Sequence, residues 1–295
     1  MRNISNESKL ERWKTMKVKD VISAIKEAVP YPETFTVKMP FSDTPREVPT
    51  CDVLHFGSLE NEVTKIGTTF MVTVDVIYKA IEEGVDMIIT HEPSNCGGLD
   101  RTMPIKLNRV TVEKRDLIEK SGISIWRFHD GMHYQKPDMI YMGWMKELGW
   151  EEYNIPGPNN HEFEIPETDV RSVAELVKER LGINAPRIIG NPDLLVKKVG
   201  VLVGGGGQGL GDPNMPTDFL LDNDLDLLIL GDINELIMCA FWKDALALGL
   251  KKAALWLGHH KTEECGMKYL AEWLAPLVPG IDVTYLEAED CIHCL

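Results

Sequence analysis

No stretch of this 295-residue chain reaches ~18 uninterrupted apolar residues, so a transmembrane helix is not expected. The opening stretch, MRNISNESKLERWKTMKVKD, is polar and charged and holds no apolar h-region, which argues against a signal peptide. Positive charge is in short supply: 31 Lys and Arg face 46 Asp and Glu, for a net charge of −15. A field of that sign repels polyanions. Broad binding to nucleic acid or to an anionic membrane is therefore disfavoured, while a local basic pocket for a small anion stays open. Cysteine is sparse, with six residues at 51, 96, 239, 265, 291 and 294. Thiols scattered over so long a chain suit a reduced cytoplasm better than a disulfide framework. Cys291 and Cys294 form one CxxC near the C-terminal end, a weak metal signal without a second pair. The chain also lacks a GxSxG elbow and a Walker A lysine.

What is present is an alternation of short apolar runs and helical patterns, which predicts an α/β fold. Strands are expected at 69–74, 86–90, 123–128, 198–203, 225–230, 252–257 and 281–287. Helices are expected at 17–28, 75–84, 105–121, 138–149, 169–181, 234–248 and 263–275. Glycines at 84, 122, 149, 182 and 249 follow helices as stop signals. The order hints at duplication, because each half runs strand, helix, strand, helix, strand and then histidine, His129 and His259. We expect an N-terminal α/β lobe over 1–150, a linker and helix over 151–197, and a C-terminal α/β lobe over 198–295. The Pro-, Asn- and Glu-rich segment 151–169 is the best candidate linker.

Metal-binding side chains concentrate in three stretches. IITHEPSN carries His91 and Glu92 just after a strand. WRFHDGMHYQ carries His129, Asp130 and His133 just after a strand. LWLGHHKTEECGMKYLAEWL carries His259, His260, Glu263 and Glu264 where an apolar run meets a helical pattern. Five of the chain's eight histidines lie in these places. Taken singly, each stretch fits an ordinary structural role: a polar loop, a hydrogen-bonded core histidine, first-turn acids behind a Thr262 cap. Their shared position at strand ends favours a site, because in open α/β sheets those ends face the ligand crevice. Adjacent His91 and Glu92 point apart and suit different ions. The gap from His259 to Glu263 lets a strand-end residue and a first-turn helical residue converge on one ion.

These motifs resemble the NIF3-like (NGG1-interacting factor 3) proteins, some of which carry the name GTP cyclohydrolase 1 type 2. The family's Thr-His-His-Pro appears here as THEP, its His-Thr-Asn-Leu-Asp as HDGMH, its Thr-Gly-Asp as LGD, and its Gly-His-x-x-Thr-Glu as GHHKTE. The match in order and flanking strands covers roughly residues 65–275. The resemblance implies two similar α/β lobes from an internal duplication, a two-metal centre in the crevice between them, and ring-shaped homohexamers. It places the ligands on His91, Glu92, His133, His259 and Glu263. Two positions depart from the pattern, Glu92 where the family has His and His133 where it has Asp. An imidazole has one lone pair and does not bridge two ions as a carboxylate does. Either Glu92 or Glu263 bridges, or Asp130 replaces the missing carboxylate, or a single ion is held. One or two divalent transition ions, Zn, Mn, Fe, Co or Ni, suit mixed nitrogen and oxygen ligands.

The expected function is a metal-dependent hydrolase that uses metal-activated water on a small molecule, and the resemblance implies a cyclic amide or a nucleotide C–N bond as the target. His129, Asp130 and Glu264 are the candidate proton carriers, each a step from the ligand set. The alternative is a non-catalytic metal-binding or regulatory scaffold. VLVGGGGQGLGDP formally satisfies GxGxxG through Gly204, Gly206 and Gly209, but prolines follow where a helix should open. A tight loop beside the metal crevice is the favoured reading, and a dinucleotide site the weaker one.

Overall fold

Short runs buried on both faces set the architecture. The computed structural model describes residues 15–37, 44–94, 108–157, 161–290 and 292. Cys96, Cys291 and Cys294 lie outside the described residues, as does the expected helix start at 105. The chain divides into two units that interleave in sequence. Unit 1 takes residues up to Phe35, Pro49–Gln135 and Met267–Glu289, and unit 2 is built on Lys136–Gly266.

In unit 1, α1 (Val18–Ala28) precedes the strands β1 (Leu54–Phe56), β2 (Lys65–Thr69), β3 (Met87–Thr90) and β4 (Ser124–Arg127). Helix α2 (Val74–Glu82) links β2 to β3, and α3 (Arg109–Ser121) leads into β4. A short helix, α4 (Asp130–Tyr134), follows β4. In unit 2 come α5 (Met139–Leu148), β5 (Asn154–Ile155), β6 (Glu162–Asp169), α6 (Val170–Leu181), β7 (Arg187–Ile189) and β8 (Leu195–Leu202). Then follow α7 (Met215–Asp222), β9 (Leu227–Leu230), α8 (Glu235–Ala247), β10 (Ala253–Trp256) and α9 (His259–Leu274). The strand at the chain's end, β11 (Asp282–Tyr285), joins the sheet of unit 1.

The sheet of unit 1 has the order β11-β2-β3-β4-β1. Its first four strands are parallel and β1 runs antiparallel to β4. The sheet of unit 2 has the order β7-β10-β9-β8-β6-β5, with β8, β9 and β10 parallel and the rest antiparallel. Every residue of β3, β4 and β9 is buried, as strands sheathed by helices on both faces require. In unit 2 the packing centre is Leu202, Leu220, Leu228, Leu230, Met238 and Trp242. Both sheets share one local order, β1-β4-β3-β2 in unit 1 and β7-β10-β9-β8 in unit 2.

Helix ends follow their local chemistry. The Thr73, Asn108, Asp138, Asp169 and Asn234 side chains each accept a first-turn N–H. Gly122 and Gly149 close α3 and α5 in the left-handed conformation. Helix α5 packs on the start of α9 through Gly143, where a Cβ would strike the Cys265 carbonyl and Gly266.

Three expectations shift. The first parallel strand is Lys65–Thr69 rather than 69–74, because Phe70–Val72 lead directly to the Thr73 cap of α2. Residues 162–169, inside the segment read as linker, form β6, with Phe163 and Ile165 buried. Helix α9 starts at His259 rather than 263, immediately after Gly258 turns the chain at φ +93°.

His161 lies against Phe219, with ring centroids 4.5 Å apart. Burial pushes its pKa below the usual histidine range and Lys136 adds to this, while Asp138 opposes it. The unfolded chain therefore binds this proton first as pH falls. His161 stabilises the fold above pH ~6.5, and that contribution is lost as pH falls toward its depressed native value. Urea unfolding at pH 7.5 and at pH 5 should show a smaller acid loss in His161→Phe than in the parent. Equal losses would mean that His161 keeps an ordinary pKa.

Candidate metal centre

Unit 1 gathers three imidazoles. The end of β3 delivers His91, which is fully buried, and the end of β4 delivers His129. One turn of α4 brings round His133, whose N–H bonds the His129 carbonyl at 3.2 Å. The His91 and His129 rings stack with centroids 4.5 Å apart, and His133 stands edge-on to each at 5.2 and 4.9 Å. One donor atom from each of the three lies within 4.8 Å of the others. Burial, and then the neighbouring His91, push the pKa of His129 down in spite of Asp130. The neutral imidazole that results is the form that ligates metals.

Long-range anchors hold this arrangement. The buried Asp52 carboxylate accepts N–H bonds from His129 at 2.7 Å, from Asp130 at 2.8 Å and from Gly131 at 2.8 Å. It thereby satisfies the first N–H groups of α4, which have no partner within the helix. Asp130 accepts from the Thr50 hydroxyl at 3.0 Å and from the Cys51 N–H at 2.8 Å, and meets His129 Nδ1 at 3.0 Å. Burial works to raise the Asp130 pKa, but these hydrogen bonds outweigh it and hold the carboxyl well below the usual range. Cys51, His129 and Asp130 also have donor atoms within 4.8 Å of one another, and burial pushes the Cys51 thiol up. Arg127, itself buried, donates Nε–H to the His91 carbonyl at 2.9 Å. It also meets the Glu92 carboxylate at 3.3 Å.

Unit 2 places its ligand candidates on the first turns of α9. His259 Nε2 lies 2.9 Å from Glu263 Oε2, an i,i+4 pair on one helix face. His259 Nδ1 lies 2.8 Å from Asp232 Oδ2, just beyond β9. Gln208 donates to the same Asp232 oxygen at 3.1 Å. The glycine run forms a 3-10 turn over Gly204–Gln208. Gly204 lies so close to Glu263 that a Cβ there would overlap the carboxylate. The Gly204 N–H donates to Thr262 Oγ1 at 2.9 Å, and the Asp232 N–H donates to the Gly204 carbonyl at 2.7 Å. The run is thus the backbone cradle of Glu263 and Asp232. Thr262, expected as a cap, lies inside α9 and donates to the His259 carbonyl at 2.8 Å.

The candidate proton carriers fall in different settings. His129 stands within the imidazole group rather than beside it. Asp130 is held by hydrogen bonds. Glu264 meets the buried Lys261 amine at 2.8 Å and His260 Nε2 at 3.2 Å. Sequence reasoning missed Asp52 and Arg127, and met Asp232 and Gly204 only as parts of the LGD motif and of the glycine loop, without their roles. Of the two missed, only Arg127 left a clear signal, a lone cation in an apolar strand, since buried arginines are paired.

The sequence profile of the Duf34/NIF3 (NGG1p interacting factor 3) proteins matches residues 52–290. The chain belongs to the Duf34/NIF3 family. A protein of Clostridium acetobutylicum named GTP cyclohydrolase 1 type 2 homolog is 25% identical over 237 residues, 75% of this chain and 81% of that one. The fold matches a hypothetical protein of Staphylococcus aureus with a TM-score of 0.69 at 17% identity, over 95% of this chain and 99% of that one. It also matches a Bacillus cereus protein related to NIF3 with a TM-score of 0.66 at 15% identity, over 96% and 99% of the two chains.

The donor sets fit a transition-metal ion by their chemistry. Imidazoles and carboxylates suit Zn, Mn, Fe, Co or Ni. A ligand histidine normally has its other nitrogen on a carboxylate or carbonyl, as His259 has on Asp232. Among the described residues no helix is long and apolar enough to cross a membrane.

Proposed function

We propose that this Duf34/NIF3 protein is a metal-dependent hydrolase that opens a C–N bond in a small molecule, such as a cyclic amide or a nucleotide base. The observation that supports it most is the group of buried His91 and half-buried His129, at the ends of adjacent parallel strands, with half-buried His133 on the helix that follows. The relatives named GTP cyclohydrolase 1 type 2 homolog point to the same reaction class. His91, Glu92, His133, His259 and Glu263 are the proposed ligands, and His129 joins them as a sixth candidate. A divalent ion held by them supplies Lewis acidity and lowers the pKa of water toward neutrality. Arg127 orients Glu92 and ties the end of β3 to the end of β4. Asp130, held ionised, suits positioning better than proton donation. Glu264, engaged with Lys261 and His260, suits an ion pair. The shared strand order of the two sheets supports an internal duplication. A homohexamer in the cytoplasm belongs to the same proposal, and the 82% exposure of Leu236 in the first turn of α8 and 89% of Leu248 just after its end supports an assembly surface.

Protein purified without chelators should carry one or two equivalents of a transition metal by plasma mass spectrometry, and hydrolyse a member of a panel of cyclic amides and nucleotides. His259→Ala and Glu263→Ala should each lower turnover by a factor of ~100 or more, the scale set by losing an inner ligand rather than an outer one. Activity that persists in both variants would remove these residues from the reaction. A second reading, a metal-binding scaffold without turnover, draws on the ion pair that occupies Glu92. Full metal loading with no turnover on any substrate of the panel would favour it.

A further inference from the structure

We propose that Asp130 and Asp232 are matched positioning residues, which hold His129 and His259 with the proton on Nδ1 and so make Nε2 the metal-binding nitrogen of each. This deepens the metal-centre reading and rests on it for the ion. The two carboxylates come from different parts of the chain but do the same thing. Asp130 Oδ1 lies 3.0 Å from His129 Nδ1, and Asp232 Oδ2 lies 2.8 Å from His259 Nδ1. An ionised carboxylate only accepts hydrogen bonds, so the ring nitrogen facing it must donate. A neutral imidazole has one N–H. With that proton on Nδ1, the lone pair stands on Nε2.

The contact on the far side of His259 agrees. Its Nε2 faces Glu263 Oε2 at 2.9 Å. Once the ring is neutral with its proton on Nδ1, the form in which an imidazole ligates metal, the Nε2 lone pair and the Glu263 carboxylate stand on one helix face within reach of a single cation. Each positioning carboxylate is itself fixed by other groups. Asp130 is fixed by Thr50 and the Cys51 N–H. Asp232 is fixed by Gln208, and its backbone N–H by Gly204. The order of support is therefore loop backbone, carboxylate, imidazole, ion. Partners of this kind commonly change metal affinity by ~10–100-fold when they are removed.

The test uses the full chain loaded with zinc, a diamagnetic probe. Nitrogen-15 NMR of labelled histidines should show His129 and His259 protonated at Nδ1 and ligated through Nε2. Competition titration with a zinc chelator should show Asp130→Asn and Asp232→Asn each binding zinc ~10–100-fold more weakly, with mixed or reversed tautomers in the affected ring. A merely structural role would not move the nitrogen signals of one ring alone. Zinc ligated through Nδ1, or affinity within twofold of the parent in both variants, would overturn this inference while leaving the metal centre in place. A parent protein that takes up no zinc would overturn the metal reading and this inference together.

Discussion

Asp52→Ala is expected to destabilise the fold by roughly 3–5 kcal/mol and to release His129 and His133 from the imidazole group. Asp52 is 3% exposed, and its carboxylate accepts three backbone N–H bonds at 2.7–2.8 Å. Hydrogen bonds to an ionised oxygen are among the stronger kind, and they sit here at the positive end of α4. Alanine leaves three donors without an acceptor, at about 1–3 kcal/mol each when buried. Water entering the vacated space offsets part of that, hence the lower end of the sum. Asp52→Asn keeps the shape and one acceptor oxygen, so it should lose about half as much. Urea unfolding at pH 7 reads the stability, and zinc titration of the same samples reads the site. A loss below ~1 kcal/mol in the alanine variant would show that water replaces the carboxylate fully and that the loop does not depend on it.

The sequence is most legible where a local pattern settles the matter. The runs around Ile88, Leu228 and Ala254 read as buried strands because both faces are apolar and glycines bracket the helices between them. His91, His129 and His133 stand out because histidines scattered over a surface would not cluster at strand ends. Composition misleads where tertiary pairing overrides it. Residues 162–169 look like a loop for their Pro and acidic content, yet Phe163 and Ile165 alternate inward and the segment pairs along β8. The apolar positions of α8 match a helix, but they run round it, so only Met238 and Trp242 are buried. The supporting residues are the least legible. Asp52 acts on a loop 77–79 residues away, and Gly204 acts on a residue 59 positions later; no spacing rule reaches that far. The glycine run draws the eye for its likeness to a nucleotide fingerprint, when the purpose of its first residue, Gly204, is to leave room for the Glu263 carboxylate.

That purpose gives the second large effect. Gly204→Ala is expected to separate stability from metal binding. Gly204 has φ +50°, a region that costs a residue with a Cβ about 1–2 kcal/mol. The added methyl would also occupy the space of the Glu263 carboxylate. The carboxylate is the far end of a flexible side chain, so the fold can yield there by turning Glu263 aside, away from its contact with His259. Stability should therefore fall by only about 1–2 kcal/mol, the backbone term alone. Metal affinity should fall further, by at least the ~10–100-fold that loss of an outer partner produces, because the displaced group is a proposed ligand. Gly204→Val should give the same loss of affinity with a larger loss of stability. Gly205→Ala is the control, since the atom nearest to its added methyl is a Leu210 methyl at 3.8 Å, in ordinary contact. Thermal unfolding of the metal-free proteins and zinc titration of each separate the two effects. A Gly204→Ala protein that binds zinc as tightly as the parent would mean that Glu263 is not a ligand, and the centre would then have to be built without it.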